Sequence, residues 1–413
     1  MSWIAPLLVL MLADPGTVAA IPTPAAAELT AMATRALARV ERMRDQKLSR
    51  PLAMGVKDRA QVTAFIKERL ADEYGPDKVA AEGRMLQLCG LLPSGLDYGG
   101  FITSLLAEQV AGFYDHTRRE LHIASWLPIF MQEPVMAHEI FHAIQDQEWG
   151  GGKLIDSKAY THDTVLAHAA LLEGDATIVM LNYAQAELDP TADMSTSAFA
   201  INMVAASLPL QMSSPQFPVM ASAPDYLKQS LIFPYQRGLL FISALRQAGR
   251  TWPQIREIYA DPPSTSEQIL HPEKYWPRRD EPSQVVLPPT GWAGFTRSWE
   301  GTVGEFHHQQ LLLAHSNLAD AIDAAAGWDG DHTVLEVSRS GAVVVAASTW
   351  DSPEDAEVFE AALRRAHDAR PAPRPTLVSE RSGPDLAYAF SEDPDLARRA
   401  VAFARSQAKI TRH

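Results

Sequence analysis

Pro134-Val-Met-Ala-His-Glu-Ile-Phe-His-Ala-Ile-Gln-Asp-Gln147 carries two histidines four residues apart, His138 and His142, with Glu139 directly after the first. On a helix, positions i and i+4 stand one above the other on the same face, so both imidazoles reach a single ion. Glu139 then lies beside the first ligand, where its carboxylate addresses a water on that ion. Ile140, Phe141 and Ile144 are apolar and suit the buried side. Proline is tolerated in the first helical turn, so Pro134 predicts the start of this helix. Gly150-Gly-Gly152 predicts its end.

The pattern alone is weak support, since a chain with 13 histidines meets it by accident now and then. A catalytic zinc site also needs a third ligand and an open fourth position. A metzincin would place Gly at 145 and His at 148, where this chain has Gln145 and Glu148, so that class is excluded. Glu148 reads as a solvated helix-end residue. The better third ligand is Glu173, in Leu171-Leu-Glu-Gly-Asp-Ala176, amid Val165, Leu166, Ala169, Ala170, Leu172, Ala176 and Val179. A carboxylate on such a helix is costly to bury without a cation. Gly174, directly after it, allows another backbone to pack closely.

Working outward, Gln109 to Asp115 and Glu120 to Ala124 are β-prone runs around a polar turn, which predicts a hairpin. Upstream, residues 25 to 110 predict helices, one capped by Asp58 over Val62 to Leu70 and another over Asp77 to Leu88. Pro93 to Gly100 reads as a loop. Asp163 is a candidate cap for a helix reaching about Leu188. Residues 190 to 230 give no clear pattern. Tyr235 to Gly249 and Trp252 to Tyr259 predict helices, and Pro262 to Pro289 a mostly extended edge. Beyond Gly291, strand-like Thr333–Val337, Ala342–Ala347, Pro375–Ser379 and Leu386–Phe390 alternate with helical Glu354–His367 and Asp395–Lys409.

The expected fold is therefore α+β. A mainly helical unit with a small β-hairpin or sheet spans 25–290, and a small α+β unit of unassigned role spans 291–413. The apolar run Ile4 to Leu12, followed by Val18-Ala-Ala20, predicts a signal peptide over 1–20 and hence a secreted or periplasmic protein, although no Lys or Arg precedes the run. Length supports two domains, since 413 residues exceed one ordinary core. Lys plus Arg number 36 against 50 Asp plus Glu, a net charge of −14. That argues against nucleic acid and against an anionic membrane surface as partners, and no stable membrane anchor is expected. Cys89 is the only cysteine and sits in an apolar setting, so it reads as a buried structural thiol.

Gln109-Val-Ala-Gly-Phe-Tyr-Asp115, Ala137-His-Glu-Ile-Phe-His-Ala-Ile-Gln-Asp-Gln147 and Leu172-Glu-Gly-Asp-Ala-Thr177 resemble the core of secreted bacterial zinc metallopeptidases of the gluzincin type. Ser264 to Tyr275 resembles a further segment of such proteins, so the likeness covers residues 100 to 280. It implies Zn2+ on His138, His142 and Glu173, a catalytic Glu139, and a cleft bordered by the strand near Phe113. Many gluzincins carry a carboxylate one turn after the third ligand, where this chain has Thr177. The group that orients the histidines is thus open, with Asp146 a candidate. Two residues are candidates for the oxyanion donor: Tyr235, which also reads as a packed aromatic, and His271, which also reads as a turn residue. His116, His122, His162 and His168 add no better ligand spacing, and His307 and His308 read as a wet helix face. The expected function is hydrolysis of peptide bonds in a peptide or protein substrate. The alternative is a zinc-stabilised binding or assembly protein whose site is retained but unproductive; a blocking segment over the site is a third.

Overall fold

The computed structural model describes residues 26–186, 188–189, 191–212, 217–313 and 317–413, so the predicted signal segment 1–20 lies outside the described residues. Helix α1 (Ala26–Arg44) leads into strand β1 (Ala53–Lys57), then α2 (Arg59–Glu73), α3 (Gly75–Leu88) and α4 (Tyr98–Gln109). Asp58 caps α2 with a full capping box, as the sequence predicts. The region read as a loop before Gly100 instead starts α4, because Asp97 accepts the Gly100 amide and caps it. Strands β2 (Gly112–Asp115) and β3 (Glu120–Ala124) form the expected antiparallel hairpin. Strand β1 adds to it in parallel, giving the order β1-β3-β2 with β2 at an edge.

Helix α5 (Ile129–Trp149) carries the His-Glu-x-x-His motif, and α6 (Gly151–Leu154) follows. Helix α5 starts five residues before Pro134, which lies inside it. The proline withholds only the N–H that would meet the carbonyl of Phe130. Phe130 is 62% exposed, so solvent reaches that turn and the break costs little. Gly150 ends the helix as expected, in the left-handed conformation at φ 71°.

Helix α7 (His162–Gln185) is capped by Thr161 rather than Asp163. The Asp163 carboxylate is buried and accepts the Ser266 amide instead. By length and hydropathy α7 could cross a bilayer, but 89% of its apolar window is buried inside the protein. The region without a clear pattern holds α8 (Ala198–Met212) and α9 (Pro218–Ser222). Helix α10 (Asp225–Gln247) begins ten residues before the predicted Tyr235 and also keeps a proline, Pro234, inside. Next come α11 (Trp252–Glu257), α12 (Ser266–Leu270) and strand β4 (Gln284–Val286), so the stretch read as extended is partly helical.

The C-terminal part holds β5 (Thr296–Gly301), α13 (Gly304–Leu313), α14 (Leu318–Ala325), β6 (Trp328–Ser338), β7 (Gly341–Trp350), α15 (Pro353–Asp368), β8 (Thr376–Ser382), β9 (Asp385–Ser391), α16 (Pro394–Gln407) and β10 (Lys409–Thr411). Five strands pair antiparallel in the order β5-β6-β7-β9-β8. In β7, Val343, Val345 and Ala347 join an apolar cluster with α16, while Ala342, Val344 and Ala346 join the main core with Phe359 of α15. Both faces are covered, which explains an unbroken apolar run instead of alternation. Each fully buried Val contributes roughly 1.5–3 kcal/mol.

The main core is shared by residues from α1 through β9. Helix α3 packs on β5 and β7, and α12 on α13. Helix α13 is thus covered on several sides, and His307 and His308, expected on a wet face, are 2% and 0% exposed. His308 Nδ1 donates to the Gly304 carbonyl at 2.7 Å and its Nε2 accepts from Tyr388 Oη at 3.0 Å, which satisfies a buried imidazole. Cys89 is buried, as expected.

Candidate metal centre

Helix α7 packs against both α5 and α10. The α7–α10 crossing is glycine on glycine. A Cβ on Gly174 would lie 2.1 Å from the Gly238 carbonyl carbon, and one on Gly238 1.9 Å from the Ala170 oxygen. This close approach pins the residue before it, Glu173, against the histidine face of α5.

His138, His142 and Glu173 form a group able to hold a metal ion. His138 Nε2 lies 3.1 Å from Glu173 Oε2 and 2.9 Å from His142 Nε2, which is 3.4 Å from the same oxygen. Ligand atoms at tetrahedral zinc distances stand about 3.3 Å apart. The three atoms therefore already have the spacing of three corners of such a shell.

Electrostatics agree with the geometry. Burial, helped by the neighbouring His142, pushes His138 down to about 4, so it is neutral. Burial would also lower His142, but the charge and hydrogen bond of Glu173 outweigh it and raise the imidazole to about 9. Burial alone would raise Glu173; the two histidines overcome this and hold it at about 2, ionised. A cation at the centre would take the place of the His142 proton. Glu139 differs: burial raises it to about 8, against the opposing pull of His142, and the Tyr114 backbone N–H donates to it.

The group opens into a cleft whose walls include Phe65, Arg69, Phe113, His116, Glu139 and His142. Phe65 and Phe113 stack at 4.2 Å between ring centroids. Strand β2 borders the cleft through Phe113, Tyr114 and Asp115, and pairs with β3 on its other side.

Asp146 lines the cleft and accepts from Tyr114 Oη at 3.0 Å; the partner of His142 is Gln145 instead, whose Oε1 lies 2.6 Å from His142 Nδ1. Tyr235 is 3% exposed, bonds the Glu173 carboxylate through its hydroxyl and stacks 6.5 Å from His138. It braces two ligands from behind and is not among the cleft-lining residues. His271 is not brought to the site: its Nε2 bonds Glu305 Oε1 of α13 at 3.1 Å. Glu148 accepts the Ser49 amide at 3.0 Å and stands outside the three-residue group. A second acidic group, Glu267, Asp280 and Asp351, already surrounds the Lys274 ammonium, 2.6 Å from Glu267 and 2.9 Å from Asp351.

Sequence reasoning missed Gln145 as a partner of His142, although its position one turn on was readable. It also missed Tyr259, Asp175 and Arg44 behind it, which only the fold brings together.

Residues 293–411 match a family described as a domain of unknown function, DUF8575. No curated protein and no solved structure matches the chain. The matched segment is the C-terminal part and contains none of the metal-centre residues.

Proposed function

We propose that this protein is a zinc-dependent peptidase of the gluzincin kind, with His138, His142 and Glu173 as ligands and Glu139 as general base. The observation that carries the reading is the convergence of two imidazole nitrogens and one carboxylate oxygen to within 3.4 Å, with a fourth group, Glu139, beside them on the cleft wall. Two imidazoles and a carboxylate suit Zn2+, which when bound supplies Lewis acidity toward water and a carbonyl oxygen. A purely structural site closes its fourth position and has no use for a buried base there. Burial favours the protonated form of Glu139, but a bound cation would favour the carboxylate, and in that form Glu139 accepts a proton from the attacking water and returns it to the leaving amine as the C–N bond breaks, leaving a carboxylic acid and an amine. Strand β2 supports a peptide as the substrate: an edge strand beside the base is suited to pair with an extended chain. Arg69 and His116 are side chains in the same lining that are able to donate to a developing oxyanion. We further infer export, from the apolar run Ile4–Leu12 and the small residues at 18–20. N-terminal sequencing should then find a mature chain near Ile21, and recovery of intact Met1 from the cytoplasm would count against it.

The test of the catalytic reading is metal analysis with peptide-library cleavage, for wild type and Glu139→Gln. The amide matches the carboxylate in size but takes no proton. Zinc content and melting temperature should stay near those of the wild type, while hydrolysis falls by at least about two orders of magnitude. Equal cleavage by both proteins sinks the mechanism. Zinc without cleavage in the wild type favours a binding protein.

A further inference from the structure

His142 is held from behind by a file of buried polar side chains that leads away from the cleft. Gln145 Oε1 lies 2.6 Å from His142 Nδ1, and Gln145 Nε2 donates to Tyr259 Oη at 2.8 Å and to the Leu172 carbonyl at 2.9 Å. Tyr259 Oη donates to Asp175 Oδ2 at 2.8 Å. Arg44, the last residue of α1, grips both oxygens of Asp175. Its guanidinium lies 4.4 Å from the Phe141 ring centroid and 4.1 Å from that of Trp252. Arg44, Gln145, Asp175 and Tyr259 are all 5% exposed or less.

The file has only one polarity. Arginine is a donor at every pH of interest, so Asp175 is the acceptor. Asp175 then takes the Tyr259 proton, and the Tyr259 oxygen accepts from Gln145 Nε2. With its nitrogen engaged there and at Leu172, Gln145 must turn its oxygen to His142. Nδ1 of His142 therefore carries a proton whether or not a cation is bound, and Nε2 is the nitrogen left to face the ion beside His138 and Glu173. An ion pair in a core is no better glue than apolar side chains of the same size. A fixed direction ending on a metal ligand is something apolar packing does not supply.

We propose that Gln145, Tyr259, Asp175 and Arg44 are positioning residues that set the His142 tautomer and through it the affinity for the metal. This rests on the metal-centre reading above. The experiment measures zinc dissociation constants by chelator competition. Tyr259→Phe keeps the ring but leaves the Gln145 amide held by the Leu172 carbonyl alone and cut off from Asp175 and Arg44, and should weaken zinc binding by about 10-fold, the lower end of the usual effect of losing a partner behind a ligand. Tyr183→Phe is the control: it removes a half-buried hydroxyl on α7 that bonds Glu133 at 2.6 Å and should leave zinc affinity unchanged. Gln145→Leu should weaken binding to the same degree, and adding Tyr259→Phe to it should change nothing more, because one acts through the other. Wild-type affinity in Tyr259→Phe, or an equal loss in Tyr183→Phe, overturns the positioning role while leaving the metal centre standing. A wild type that binds no zinc overturns the metal centre itself, and this role with it. If Gln145→Leu does not fold, the two tyrosine variants still decide.

Discussion

Glu173 shows what one residue contributes when its neighbours are apolar. A carboxylate at 3% exposure, flanked by Leu172 and Ala176, is tolerated because two imidazoles and a tyrosine hydroxyl meet it. Glu173→Ala should lower zinc content as far as His142→Ala does, and by more than the about 10- to 100-fold of an outer partner. Glu148→Ala should leave it unchanged, since that side chain holds a backbone amide; the reverse pattern in metal analysis would make Glu148 the ligand. At this scale the sequence is informative where chemistry repeats at helical spacing. His138, Glu139 and His142 announce themselves by position, and Glu173 by being the wrong residue for its surroundings. Arg44 and Asp175 do neither, because they lie 131 positions apart and each alone reads as an ordinary helix charge. His271 misled for the opposite reason: a histidine in a turn matches many roles, and its partner, Glu305, lies on a helix whose burial the sequence did not announce.

Among the elements, the α7–α10 pair matters most, since it bears Glu173 on one helix and Tyr235 on the other. Their backbones touch at Gly174 and Gly238, with no room for a methyl group on either. Gly238→Ala should force the helices apart and destabilise the protein by roughly 1–3 kcal/mol or more. The same shift should carry Glu173 off its histidines, so zinc affinity should drop alongside the melting temperature. A variant that loses stability but binds zinc as before would show that the crossing serves packing alone. The β2–β3 hairpin, strands β6 to β9 and the Asp58-capped helix were readable because a capping residue or an apolar run acts locally, as Asp58 and Val343–Ala347 do, whereas β1, β5 and the Asp97-capped start of α4 were not. Nor were the starts of α5 and α10. Pro134 and Pro234 carry the usual mark of a first turn, yet each sits inside a longer helix whose packing or exposure absorbs one missing hydrogen bond.

At the scale of the whole molecule, acid is the expected weak point. His307, on α13, is pushed down to about 3 by burial and by His308 beside it, so it folds uncharged. In the unfolded chain a histidine titrates near 6.5. Between those values the unfolded chain binds the extra proton, so stability is full above about pH 6.5 and is lost as the pH falls toward 3. The loss from this one group is of order 2 kcal/mol by pH 5. Urea midpoints measured from pH 7 to 4 should fall steeply in the wild type and less so in His307→Leu; parallel curves would remove His307 as the cause. The burial of this residue was hidden from the sequence because the surfaces that cover α13 come from distant parts of the chain. The same sharing of one core has a consequence for kinship. The C-terminal stretch that matches a domain family shows its inward side to α3 and α12, which lie outside the match. Lifted from this chain, it would take a bare oily flank with it. Any other protein that inherits this part must also bring its own cover for that flank.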